Sequence, residues 1–93
     1  MPPVNAAQIR RETTALHYQY RERLPMWTIF GPGTADYPGK FLARLCFSLP
    51  EVFVTDVLLH ADSLEDIRDL LPVGLVALSR AAADDPNIIE TWL

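Results

Sequence analysis

The sequence predicts an α+β domain: a mostly antiparallel sheet of four to five strands with one helix on one face, in the order β-β-β-α-β-β, preceded by an N-terminal helix. Three observations carry that reading. Residues 52–80 run as strand, helix and strand: VFVTDVLLHA, then DSLEDIRDLLP, then VGLVALSR. Residues 40–49, KFLARLCFSL, alternate with the period of two that a half-buried strand requires. The turn-rich stretches GPGTADYPG at 31–39 and AAADDPN at 81–87 separate the apolar runs.

Each element has its own justification. Residues 5–24, NAAQIRRETTALHYQYRERL, contain neither Gly nor Pro, and Ile9, Thr13, Leu16, Tyr20 and Leu24 fall on one helical face. Pro25 closes this segment, and the pattern that begins at Met26 needs nothing upstream. Residues 1–25 are therefore expected as a helical extension of a single α+β domain at 26–93. MWTIF, 26–30, is aromatic and β-branched and reads as a strand. In 40–49, Phe41, Ala43, Leu45, Phe47 and Leu49 share one face. Lys40, Leu42, Arg44, Cys46 and Ser48 share the other, which predicts a strand with one face in the core and one only partly covered. Pro50-Glu51 turns the chain into a third strand at about 53–60. Phe53, Val57 and Leu59 there oppose Val54 and Leu58, so both faces look apolar and the strand is expected to be central.

The helix of 62–71 is expected to open on Asp62, which with Glu65 forms an acidic variant of the capping box. Leu64, Ile67, Leu70 and Leu71 then make one apolar stripe, Pro72 stops the helix, and Gly74 turns the chain into a fourth strand at 75–79. IIETWL, 88–93, is the last strand. One helix covers one sheet face; the N-terminal helix, a second copy of the chain or a protein partner would cover the other.

Composition bounds the function. Ninety-three residues make one domain, and 49% hydrophobic with 22% charged residues is ordinary for a globular protein. No apolar run approaches the roughly 20 residues of a membrane span, and MPPVNAAQIRRE lacks the basic-then-apolar order of a secretory signal. The single Cys46 has no intrachain disulfide partner, which suits the cytoplasm. The net charge of −4 is divided unevenly, +3 over residues 1–45 and −7 over 46–93. Such a division steers a partner or solvates exposed faces; direct nucleic-acid binding is disfavoured, because phosphate contacts need clustered Lys and Arg.

Motifs for chemistry are thin. GTADYPGK, 33–40, fails as a phosphate-binding loop: its glycine spacing is one residue too long, Phe41 stands where Ser or Thr would bind magnesium, and a strand follows. His60 and Asp62 lie close in sequence but lack a third ligand beyond His17. Cys46, with His17 and His60 as candidate bases, sits inside a strand, where cysteine behaves as a small hydrophobe. The acidic pairs Asp84-Asp85 and Glu65-Asp66 fall in a turn and on a polar helix face. No catalytic, cofactor-binding or metal-binding residue is assigned. Exposed aromatics beside an uncovered sheet face suit a protein interface, and Tyr37 in the Gly/Pro loop is such a residue. Glu51, Glu65, Asp66, Asp69, Asp84 and Asp85 complete the candidate partner-binding set, as groups that would face a basic partner.

DYPGKF at 36–41 and DDPNIIETWL at 84–93, with MWT at 26–28 and ADSLEDIRDLLPVGL at 61–75, resemble a group of small bacterial and phage-borne proteins of unassigned function. Such proteins begin near Met-Trp-Thr and finish in an acidic-Pro turn followed by Glu-x-Trp-Leu. The resemblance covers 26–93 and implies neither an activity nor functional residues. It does suggest an inhibitor of host or defence machinery, anti-CRISPR proteins being one such class. The expectation is thus a non-enzymatic, acidic, cytoplasmic binding protein with a protein partner. The alternatives are an enzyme or a metal or small-ligand binder built on His60, Asp62 and Cys46, and a self-associating module, for instance a homodimer.

Overall fold

The computed structural model describes residues 6–80 and 85–93. The elements are α1 (Ala6–Gln19), β1 (Leu24–Phe30), β2 (Phe41–Leu49), β3 (Phe53–Ala61), α2 (Leu64–Arg68), β4 (Ala77–Ser79) and β5 (Ile88–Trp92). Five strands form one antiparallel sheet in the order β3-β2-β1-β5-β4, so the α+β class and the antiparallel sheet stand as expected. β3 and β4 lie on opposite edges and run parallel, each being two antiparallel steps from β1. Among the described residues no helix is long and apolar enough to cross a membrane.

Alternation along the strands decides which residues meet the helices. Trp27 and Ile29 of β1 stand beside Leu45 and Ala43 of β2, and these side chains, with Phe47, are fully buried. Ile67 of α2 and Leu70 and Leu71 just after it close over them, and Ile9, Leu16 and Tyr20 of α1 pack against the same cluster. Both helices therefore cover one face. At roughly 1.5–3 kcal/mol for each fully buried large apolar side chain, this layer supplies most of the fold's stability.

Polar contacts hold α1 in place. Thr13, the buried member of its inner stripe, donates its hydroxyl to the Leu70 carbonyl at 3.0 Å. Arg10 Nε donates to the Asp69 carbonyl at 2.9 Å, and the Trp27 indole donates to His17 Nε2 at 2.8 Å. A second clamp joins α2 to β5. Arg68 Nε and Nη2 reach Glu90 Oε1 and Oε2 at 2.7 and 2.8 Å, and Trp92 Nε1 adds a third hydrogen bond at 3.1 Å. The buried Glu90 carboxyl is held below its ordinary range chiefly by the Arg68 hydrogen bonds, against the opposing effect of burial.

Several expectations are corrected. β3 is an edge strand: its apolar outer face is the rim of the sheet, where Val54 remains 60% exposed, and the middle position belongs to β1. β1 starts at Leu24 and takes Pro25 into the strand, two residues upstream of the strand expected at 26–30. Leu24 accordingly leaves the helical stripe. α2 spans only Leu64–Arg68 and ends before Pro72, although Leu70 and Leu71 still reach the core from the following turn. Its cap is Ser63, whose hydroxyl accepts the Asp66 N–H at 3.1 Å; Asp62 instead pairs with Lys40. The turn that follows does need Gly74, which has φ +95°, a region that favours glycine. β4 is shorter than expected, three residues instead of five.

Candidate functional site: the open sheet face

The second face of the sheet is made by the residues between those of the core. Pairing places Met26 beside Cys46, Thr28 beside Arg44 and Phe30 beside Leu42. It continues outward through Leu58 and His60 on β3 and through Thr91 and Leu78 on β5 and β4. No described helix lies on this side. Leu42 is buried, Met26, Phe30, Cys46 and Leu58 are half-buried, and Val54 and Leu78 are exposed.

Arg44 is exposed at the centre of β2, with Thr28 on one side and Leu58 on the other. No ion pair joins it to a carboxylate among the described residues. Its charge acts on Cys46, whose thiol is pushed up by burial while Arg44 opposes that rise. Cys46 is therefore a protonated, half-buried thiol, unlike an activated nucleophile. It lies four residues along β2 from Leu42, the partner of His60, which separates Cys46 from His60 by about 13 Å.

The 31–40 loop forms one rim. Tyr37, 40% exposed, stacks on His60 with ring centroids 6.3 Å apart. Lys40 at the loop's end binds Asp62, holding that carboxyl below its ordinary range, mainly through this hydrogen bond. The sequence reading placed Tyr37 in an exposed loop, and it stands at the edge of the uncovered face. Among the described residues no three His, Cys, Asp or Glu side chains gather as a metal site.

The acidic candidates are dispersed. Glu65 and Asp66 occupy the exposed first turn of α2, and Asp69 ends that helix 3.9 Å from Arg10. Asp85 accepts the Asn87 N–H in the turn before β5, and Asp84 lies outside the described residues. Glu51, in the β2–β3 turn, is at the far end of β3 from α2, about 30 Å along the nine-residue strand. The sequence reading missed Arg44 as a site residue. The available signal was the second face of 40–49, where Arg44 sits among Leu42, Cys46 and Ser48.

Comparison with known proteins finds no matching family model, no matching curated protein and no matching solved structure.

Proposed function

We propose that this is a non-enzymatic binding protein whose open sheet face, rimmed by Tyr37, takes a protein partner. The observation that carries the reading is the combination of an apolar face with Arg44 at its centre. A guanidinium there favours a partner that lays an apolar surface on Met26, Phe30 and Leu58 and supplies a carboxylate to Arg44. The dispersed acidic groups act at most as a rim, affecting the rate of encounter more than the complex itself. The narrower reading, an inhibitor of host or defence machinery such as an anti-CRISPR protein, rests on the sequence resemblance alone.

Site-specific photo-crosslinking tests the face. A photoreactive residue at Met26 or Leu58 should give a protein adduct, and one at Arg11 on the outer side of α1 should not. Arg44→Glu should abolish the adduct while leaving the unfolding midpoint unchanged. Adducts that form equally from Arg11, or that survive Arg44→Glu, would reject the open face as the interface.

A further inference from the structure

The two edges of the sheet are built differently. On β3, Arg44 pairs with Leu58 and Cys46 with Val54, so Thr55, Asp56 and Val57 stand opposite Leu45 alone. The Thr55 hydroxyl bridges this bulge, donating to the Leu45 carbonyl at 2.6 Å and accepting the Val57 N–H at 3.1 Å. A bulge carrying an exposed charge is a usual device against edge pairing. β4 is guarded only by its shortness, three residues. Residues 76–79, Val-Ala-Leu-Ser, carry no charge, no proline and no bulge, and Val76 and Leu78 are 64% and 48% exposed.

Hydrogen-bond phase fixes which β4 groups are free. Val76 and Leu93 exchange both backbone hydrogen bonds, at 2.9 and 3.0 Å. In an antiparallel ladder the next bonded pair is two residues on, Leu78 with Thr91. The N–H and C=O of Ala77 and Ser79 therefore point away from β5, out of the sheet.

We infer that the β4 edge pairs with the β4 edge of a second copy, antiparallel about a two-fold axis at Leu78, joining two sheets into one of ten strands. In this register Ala77 faces Ser79 of the other copy and Ser79 faces its Ala77. All four outward pairs of groups are satisfied reciprocally, and Leu78 meets Leu78 at the close, non-bonded position. The uncharged 76–79 segment brings no like charges together at the axis. Growth beyond two copies stops, because head-to-tail pairing would need the bulged β3 edge. The open faces of both copies then lie side by side, and the inference holds whether or not those faces bind another protein. Three residues of edge contact from each copy fall well short of the about 800 Å² per partner of a standard interface, so the pair is weak and exchanges quickly.

Sedimentation equilibrium from micromolar to millimolar protein, together with amide hydrogen exchange, tests this. Mass should rise toward twice that of the monomer. The Ala77 and Ser79 amides should gain protection only at high concentration, while the Leu78 amide stays protected throughout. Ser79→Pro removes an outward donor and leaves the β5 ladder whole, so it should abolish the rise in mass. Leu78→Arg, which sets two cations at the axis, should do the same if the proline variant folds poorly. A monomer at millimolar concentration overturns the inference. So does a dimer that survives both variants, or protection of Ala77 and Ser79 that appears only when a different protein is added.

Discussion

The same strands make both faces of the sheet, and the two faces have opposite characters. On the helix side, Trp27, Ile29, Ala43, Leu45 and Phe47 are fully enclosed, and the buried carboxylate Glu90 has a bidentate arginine partner. On the other side, Met26, Phe30 and Leu58 are half-buried, and Arg44 has no carboxylate partner among the described residues. Side chains at neighbouring positions thus differ in whether their interactions are completed within the chain. The completed face holds the fold together; the other is half-covered or exposed among the described residues.

The largest test removes the cover. Deleting residues 1–23 takes away Ile9, Leu16, Tyr20 and the Thr13 and His17 hydrogen bonds. These side chains are only partly buried, so each contributes a fraction of the roughly 1.5–3 kcal/mol of full burial. With the two hydrogen bonds, the loss is still a large part of the about 5–15 kcal/mol of a whole domain. Urea unfolding of the truncated chain should be broad, with dye-binding apolar surface. A sharp transition at the full-length midpoint would show that α1 is dispensable.

A paired substitution compares the faces directly. Phe47→Ala should cost about 3–5 kcal/mol, because it leaves a cavity between Tyr20 and Phe53. Val54→Ala, on the open side, should change stability by less than about 0.5 kcal/mol. Similar losses at both positions would mean that something covers the open face in solution.

Glu90→Gln should cost about 2–3 kcal/mol, since Arg68 and Trp92 lose a charged acceptor. The effect depends on pH. The folded Glu90 carboxyl lies below its ordinary value, so its contribution is complete above the unfolded value of about 4.3 and disappears as pH falls through the folded value. The wild type should lose stability over that acid range, and the variant should lack this part of the profile.

A smaller effect, about 1 kcal/mol, belongs to His17. Its Nε2 accepts the Trp27 indole N–H and must be unprotonated, and burial lowers its pKa. Neutral His17 therefore contributes fully above the unfolded value of about 6.5, and that contribution is lost as pH falls through the folded value. His17→Gln keeps an acceptor without titrating, so Trp27 fluorescence and stability should become flat across that window. An unchanged pH profile in the variant would assign the transition to another group.

Local patterns predict the α+β class, the alternating β2, the Gly/Pro loop with Tyr37, and the apolar stripe of Ile67, Leu70 and Leu71. Each follows from spacing within a few residues, which sets whether side chains share a face. Even the cap of α2 was locally available: Ser63 with Asp66 competes with Asp62 and Glu65 within the same four-residue pattern, and the Lys40 partner of Asp62 is 22 residues away. Contacts across the fold put α1 with α2 on one face, β3 at an edge, and the apolar side of β3 and Arg44 on the face that no described helix covers. Strand order and helix placement depend on contacts between distant segments, such as Thr13 with Leu70 and Arg68 with Glu90. An apolar residue looks the same in sequence whether a helix covers it or it waits at an open surface, because burial is a property of what arrives from elsewhere in the chain.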